Sequence, residues 1–259
     1  MTGTSFRCLA CRGREAEAVH VGCPDYYLGQ PFVVDYHRCR VCGLLQQVPV
    51  PTDVSNYYVE YPSHARKSAL YKALRRVVMR AVYYDAKPLP KGTVLLDYGC
   101  GDGGYLAVNR ERQLNLLGYE NDASLASNLT TQLGLPIYAD MDELVRRHGG
   151  AVDIVTMHFV LEHLTDLDAA LTNVRLLLKP GAKFYYVVPD PSSFEARLFG
   201  KRWHNLDPPR HVSFPNSETA RRLAARHGLE VVAERPIPFP NGFAASLPVV
   251  LTGRFRFPL

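Results

Sequence analysis

The chain has 259 residues, of which 47% are hydrophobic and 21% charged, so it has room for one large domain with a sizeable core and a small appendage. Its net charge of +5 and pI near 8.9 allow contact with nucleic acid or a membrane surface without requiring either. No apolar run is long enough to span a bilayer, and the first residues lack the apolar core of a signal peptide, which predicts a cytoplasmic location.

Residues 1–50 contain two close pairs of cysteines, each with the spacing CxxC. Each pair places two thiolates on one tight turn, and two such turns form the tetrahedral sulfur cage that Zn²⁺ prefers. We therefore predict a zinc ribbon, with strands at 32–38 and 44–48 flanking the second pair. Four sulfurs leave no open position, so the zinc is expected to be structural; redox-active or incidental cysteine pairs are the alternative. The predicted ligands are Cys8, Cys11, Cys39 and Cys42.

Residues 51–91 are predicted to form a linker and lid rich in aromatic and basic side chains, which begins at the prolines of 49–51. A helix is expected from about 64 to 85, because apolar residues recur there at helical spacing. Arginine and lysine occupy much of its remaining surface. We interpret this basic surface as a solvated helix face, with contact to an acidic substrate or to a membrane as alternatives.

From residue 92 onward, the pattern alternates between strands and helices, which predicts a doubly wound α/β fold with a parallel sheet. A seventh, antiparallel strand is expected in the apolar tail, at 249–257. The tail is also a candidate for contact with a second copy in a homodimer, or for contact with lipid. The six parallel strands are predicted at 93–97, 114–120, 136–139, 151–157, 183–188 and 229–234.

The first of these strands ends at Asp97 and is followed by Gly99, Gly101 and Gly104. Glycines at this spacing let a strand turn sharply into a helix while the backbone lies against a ligand. The spacing also satisfies the dinucleotide-binding fingerprint, which would indicate a nicotinamide-dependent oxidoreductase. However, the Asp97 carboxylate would repel a pyrophosphate and attract the ammonium group of S-adenosylmethionine (SAM), which favours SAM as the cofactor.

The phrase from Val94 to Leu106 resembles motif I of the class I SAM-dependent methyltransferases. The phrase from His158 to Leu164 is similar to the leucine–glutamate–histidine phrase of the small-molecule members of that class. The resemblance covers about residues 92–235 and implies a Rossmann-like methyltransferase domain over 92–259. It places Asp140 near the adenine amino group, with the backbone of Met141 against the ring. Capping of a helix over 141–147 is the alternative role for Asp140, and both roles could hold. The expected cofactor-binding residues are Asp97, Gly99, Gly101, Glu120, Asp140, Met141 and His158, with Glu120 on the ribose hydroxyls.

Residues 189–214 form a long insertion after strand five, and we predict that it is the acceptor loop. Ligands bind beyond the carboxyl ends of the strands in doubly wound folds, and loops of this length are uncommon unless they are functional. A histidine followed by an aromatic residue and a helix makes the loop similar to that of ubiquinone-type O-methyltransferases. His211 is the first candidate for a general base and His163 the second, followed by His204 and His158. Arg210 or Arg202 is expected to bind an acidic acceptor group.

The function expected from these features is methyl transfer from SAM to a small molecule. The favoured reaction is O-methylation of a sugar, polysaccharide precursor or secondary metabolite, with a histidine as base. Methylation of ribosomal RNA, C-methylation of a sugar and a binding module without catalysis remain alternatives. The chain lacks the Asn/Asp-Pro-Pro-Tyr/Phe motif after strand four and a cysteine after strands four and five. These absences argue against common forms of nucleic-acid base methylation without excluding a nucleic-acid partner.

Overall fold

The structure is a computed structural model that describes residues 6–58, 89–237 and 241–254. These residues form two compact units. The first comprises the described residues up to 58, Leu161–Leu171 and those from Val188 onward, and the second runs from 89 to Val160 and over Thr172–Val187. This division differs from the predicted boundaries at 50 and 91, because the residues after strand five group with the N-terminal ones. The basic helix expected at 64–85 lies outside the described residues.

The second unit is built on one parallel sheet. Its strands are β4 (Val94–Tyr98), β5 (Asn115–Tyr119), β6 (Ile137–Tyr138), β7 (Val152–His158) and β8 (Leu178–Val187). They lie in the order β6–β5–β4–β7–β8, so the chain runs outward from β4 in one direction and then returns to build the other side. This is a doubly wound arrangement, and it confirms the predicted α/β fold.

Aspartate residues cap two of the helices of the second unit. The helices are α1 (Gly104–Asn109), α2 (Ala123–Leu133) and α3 (Met141–His148); α4 (Leu167–Leu177) precedes β8 in the chain. Asp122 caps α2 by accepting hydrogen bonds from two backbone N–H groups, and Asp140 caps α3 in the same way. Leu95 and Leu106 are fully buried in the core between the sheet and its helices. Packing of this kind holds the carboxyl ends of the strands in fixed positions.

The first unit contains an antiparallel sheet that joins distant parts of the chain. Its strands are β1 (Ala16–Pro24), β2 (Val33–Cys39), β3 (Leu45–Val48) and β9 (Ser213–Phe214), in the order β1–β2–β3–β9. The strands predicted at 32–38 and 44–48 correspond to β2 and β3. Short strand β9, from the end of the predicted acceptor loop, pairs Phe214 with Leu45 and Ser213 with Gln46. The N-terminal sheet therefore fixes the end of that loop.

Helices α5 (Phe194–Phe199), α6 (Ser217–Arg226) and α7 (Asn241–Thr252) complete the first unit. Trp203 is 3% exposed and packs in the core with Tyr36 and Phe214. A side chain buried to this extent supports the loop from within the core. Short 3-10 helices occur at Ser55–Tyr58, Arg110–Arg112, Leu161–His163, Gly200–Arg202 and His204–Leu206.

Two predicted strands are wrong. Residues 229–234 form no strand, and residues 241–252 form helix α7, where a strand from 249 was expected. Apolar residues continue through α7 without a polar alternation, and its buried positions Gly242, Ser246 and Val249 follow helical spacing. The sheet of the second unit consequently has five strands among the described residues, whereas seven were predicted. No described helix has the length and apolar character needed to cross a membrane.

Candidate active site and cysteine cluster

Asp97 lies at the carboxyl end of the central strand β4 and is 3% exposed. Its Oδ1 atom accepts a hydrogen bond of 3.0 Å from the hydroxyl of Thr156, and it lies 3.4 Å from Nδ1 of His158 at the end of β7. In a doubly wound sheet, the usual ligand site is the crevice at the carboxyl ends of the strands where the strand order reverses. Asp97 and His158, both predicted as cofactor-binding residues, are therefore brought together at the expected edge.

The glycine loop follows Asp97 and requires backbone conformations that favour glycine. Gly99 has φ +75° and Gly101 has φ +53°, both in the left-handed region. A Cβ atom on Gly99 would also lie 2.7 Å from the side chain of Val160. The loop therefore keeps its N–H groups close to the carboxyl edge of the sheet.

Glu120, at the end of the adjacent strand β5, reaches this loop. Its Oε2 atom accepts a hydrogen bond of 3.0 Å from the N–H of Gly101, and its Oε1 atom accepts one of 3.2 Å from the backbone N–H of Asp122. Asp140 follows β6 and accepts two bonds at its Oδ1 atom as the N-cap of α3, which begins at Met141. The predicted cofactor-binding residues thus lie at or directly after the carboxyl ends of four neighbouring parallel strands, as a nucleotide site at this edge requires.

A cluster of three titratable side chains lies in the first unit. One ligand atom each from Glu162, His163 and His211 lies within 4.8 Å of the others. The two imidazole rings meet edge to face, with centroids 4.5 Å apart. We call these three residues the Glu–His–His cluster. It brings together the first two histidines that the sequence predicts as bases. His204 is not a member of the cluster; its ring stacks on Tyr27, with the ring centroids 6.2 Å apart.

His211 is held in one neutral tautomer. Its Nδ1 atom lies 2.7 Å from the carbonyl oxygen of Asn205, and because a carbonyl can only accept, Nδ1 carries the proton. Burial lowers the pKa of His211 well below its usual value, and a proton on the neighbouring His163 would lower it further. The ring is therefore neutral near pH 7 and carries its lone pair on Nε2. An imidazole in this state can accept a proton.

His163 is also held through its Nδ1 atom. Nδ1 lies 2.6 Å from the hydroxyl of Tyr58 and 3.1 Å from the carbonyl oxygen of Arg210. Burial lowers the pKa of His163, so it too is neutral near pH 7. The engaged Nδ1 fixes the orientation of the ring beside His211.

Glu162 is the site residue that our sequence reasoning missed. It is fully buried, and neither carboxylate oxygen has a hydrogen-bond partner among the described residues. Burial raises its pKa to about 8, so the carboxyl is mainly protonated at pH 7. Its own carbonyl accepts a bond of 2.6 Å from the N–H of Val212, directly after His211. Its position next to His163 in the leucine–glutamate–histidine phrase is the sequence feature that could have identified it.

Arg210 has a different role from the one predicted. The guanidinium is fully buried, and its Nη2 atom donates bonds of 2.7 Å to both Asp25 and Asp207. Although burial alone would raise it, the hydrogen bonds from Arg210 hold the pKa of Asp25 below its usual value. Arg210 thus binds two carboxylates of the protein and anchors the backbone directly before His211. This role contradicts its predicted use on the acceptor.

The four cysteines predicted as metal ligands lie together in the first unit. Their sulfurs are within 4.8 Å of one another, and the Cys8–Cys42 and Cys11–Cys39 pairs are each 3.5 Å apart. These separations are too long for disulfide bonds. They are close to the edge of about 3.8 Å expected for a tetrahedron of sulfurs around Zn²⁺. The donor set and its spacing therefore fit a structural zinc ion.

A parallel sheet with a glycine loop after its central strand, and acids after the neighbouring strands, defines the class I SAM-dependent methyltransferases. The model of the family described as Methyltransferase domain matches residues 65–234. The chain belongs to this family.

Curated relatives share part of their length with the chain. It is similar to the ubiquinone biosynthesis O-methyltransferase of Xanthomonas axonopodis pv. citri (strain 306), with 27% identity over 48% of this chain and 56% of the relative. It is also similar to the enzyme with that name from Coxiella burnetii (strain RSA 493 / Nine Mile phase I), with 30% identity over 47% and 53% of the two chains. The chain therefore spans about half the length of these curated relatives.

A solved structure supports the fold. The crystal structure of a SAM-dependent methyltransferase from Archaeoglobus fulgidus is 17% identical and has a TM-score of 0.51. The match covers 78% of this chain and 95% of that one. At this identity, the likeness shows a shared fold alone.

Proposed function

We propose that this enzyme transfers the methyl group of SAM to a hydroxyl oxygen of a small-molecule acceptor, with His211 as the general base. The observation that carries the proposal is the state of His211, which is neutral and protonated on Nδ1, with its lone pair on Nε2. The relatives from Xanthomonas and Coxiella are named as O-methyltransferases, which supports oxygen as the methylated atom. The acceptor class we favour is a sugar, a polysaccharide precursor or a secondary metabolite.

The cofactor is proposed to lie at the carboxyl edge of the parallel sheet. In that position, Asp97 attracts the ammonium group of SAM, and Glu120 accepts bonds from the ribose hydroxyls. Asp140 and the backbone of Met141 contact the adenine, while Gly99 and Gly101 allow close approach of the loop. SAM supplies a methyl group already activated by its sulfonium. His158 completes this set beside Asp97.

The base acts as the acceptor oxygen attacks the methyl carbon. The new O–C bond forms while the C–S bond breaks and its electron pair returns to sulfur, and the hydroxyl proton moves to Nε2 of His211. The hydrogen bond from Nδ1 to Asn205 keeps the ring oriented for this transfer. His163 is proposed to position His211 through the contact between their rings.

The metal is proposed to be Zn²⁺ bound by Cys8, Cys11, Cys39 and Cys42. Four sulfur ligands fill a tetrahedral site, so the metal would contribute folding free energy and no open position for the acceptor. The cysteine turns support this assignment, because the N–H groups of Cys11 and Val41 lie 3.5 and 3.4 Å from the sulfurs of Cys8 and Cys39.

The function is tested with methyl-labelled SAM and a panel of free sugars and catechols, and NMR identifies the methylated atom. His211→Ala should lower turnover about 10²-fold or more while leaving the calorimetric affinity for S-adenosylhomocysteine unchanged. His37→Ala is a matched control, because His37 lies on β2 and stacks on Phe6, outside the Glu–His–His cluster. Turnover retained in His211→Ala would place the base elsewhere, and a C-methylated product would contradict O-methylation.

A further inference from the structure

Helix α7 leaves an apolar face exposed. Gly242, Ser246 and Val249 are buried on one side of the helix. On the other side, Phe243 and Leu247 are each 45% exposed and Leu251 is 74% exposed. The helix carries no charged residue between Asn241 and Thr252. A helix that is apolar on all sides is expected to be covered on all sides, by protein or by lipid.

Helix α5 packs beside α7 and adds to the exposed surface. The ring of Phe199 lies 5.2 Å from that of Phe243, edge to face, so the two helices are in direct contact. Phe194 is 74% exposed and Leu198 is 53% exposed, one turn apart on α5. We call the exposed side chains of both helices the α5–α7 face: Phe194, Leu198, Phe243, Leu247, Val250 and Leu251.

This face stands out from the rest of the described surface. Its six members make up half of the twelve large hydrophobic side chains that are exposed in the described part of the chain. Such side chains are ordinary when they are scattered singly, whereas a contiguous patch marks an interaction surface.

Basic side chains border the face. Arg197 lies on α5, Lys201 and Arg202 lie in the turn that follows it, and Arg254 follows α7; all four are exposed. The single acid on α5, Glu195, is partly buried. Apolar side chains bordered by lysine and arginine suit an anionic bilayer surface, where apolar groups enter the interface and cations meet phosphate headgroups.

We propose that the α5–α7 face docks the enzyme on anionic membrane surfaces. The charge pattern favours this occupant over a second copy of the chain, because a two-fold dimer through the face would bring two identical sets of basic residues to one interface. The proposal is independent of the acceptor, since docking requires no methyl transfer. It also needs no membrane-spanning helix, because an amphipathic surface lies in the plane of the interface.

The test measures co-sedimentation of the full chain with phosphatidylcholine vesicles, with and without phosphatidylglycerol. The wild-type protein should bind the vesicles that contain phosphatidylglycerol, and the binding should weaken with added salt. Leu247→Glu combined with Leu251→Glu should lower the partition coefficient about tenfold or more, because two apolar side chains no longer enter the bilayer. Replacing Arg197, Lys201 and Arg202 by Gln should weaken the salt-dependent part of the binding, because only Arg254 of the four basic residues remains.

Val232→Glu is the matched control, because Val232 is 85% exposed in the same unit but outside the α5–α7 face. This variant should bind vesicles as the wild type does. Fluorescence of Trp203, the single tryptophan, reports whether each variant keeps the core of the first unit. Absence of wild-type binding to phosphatidylglycerol, or unchanged binding by the folded double variant, would overturn the proposal. A wild-type dimer in light scattering that the double variant converts to monomer would assign the face to a second copy instead.

Discussion

At the scale of single residues, Asp97 offers the sharpest test of the proposed cofactor site. Asp97→Asn keeps the size of the side chain but removes its charge, so it should weaken S-adenosylhomocysteine binding about 10- to 100-fold. The measurement is calorimetric titration of the full chain. Asp153→Asn is a matched control, because Asp153 binds the N–H of Val94 and Lys179 at the opposite, amino-terminal edge of the same sheet. Equal losses in both variants would indicate a general effect on the fold.

Glu162 makes a prediction about stability. Its folded-state pKa of about 8 exceeds the ordinary value of 4.5. The stabilisation from keeping its proton is therefore fully present below pH 4.5 and is lost as pH rises to about 8. Glu162→Gln cannot ionise and should escape this loss. Over that range, the free energy of unfolding of Glu162→Gln relative to the wild type should therefore rise by up to about 5 kcal/mol.

Urea unfolding of both proteins across this pH range measures the difference. The exposed Glu230 provides the control, because Glu230→Gln should follow the wild-type pH dependence. If Glu162→Gln ran parallel to the wild type instead, the carboxyl would be ionised and stabilised by partners in the folded protein.

At the scale of secondary-structure elements, local patterns predicted most of the parallel sheet. Strands β4, β5 and β7 are short apolar runs, and β4 and β5 end beside a glycine or an acid. Their type and position could therefore be read from the sequence. Strand β1 was missed because register shifts between Ala18 and His20, and between His20 and Cys23, interrupt its alternation. Helix α7 was mistaken for a strand because a short apolar run fits either structure.

Prediction of the candidate site from the sequence was limited in a similar way. The sequence predicted His163 and His211 separately, from a phrase and from a loop position, but their approach depends on non-local pairing. The N–H of Gln47, on β3, donates to the carbonyl of Val212. Strand β9 begins at the residue after Val212 and pairs with β3. The burial that raises the pKa of Glu162 likewise comes from packing between distant segments, which no local pattern reveals.

At the scale of the whole molecule, the cysteine cluster and the Glu–His–His cluster belong to one unit, and the proposed cofactor residues belong to the other. Within the first unit, β3 follows Cys42 and pairs with β9, which begins two residues after His211. The hydroxyl of Thr219, on α6, donates to the carbonyl of Cys42, which adds a second link. A structural metal at the cysteines would therefore support the strand that positions the base.

The resulting prediction separates binding from catalysis. Cys39→Ser should lose the zinc, since a tetrahedral sulfur site with three thiolates is much weaker, and the folding free energy supplied by the metal should be lost with it. Methyl transfer should then fall at least as far as in His211→Ala, and Trp203 fluorescence should shift toward that of an exposed indole. Affinity for S-adenosylhomocysteine should stay within about twofold, because the cysteines belong to the first unit and the proposed cofactor residues to the second. Elemental analysis, fluorescence and calorimetry measure these outcomes, with Cys23→Ser as a buried control outside the cluster. A metal-free Cys39→Ser protein with native fluorescence and full turnover would refute the structural role of the cysteines.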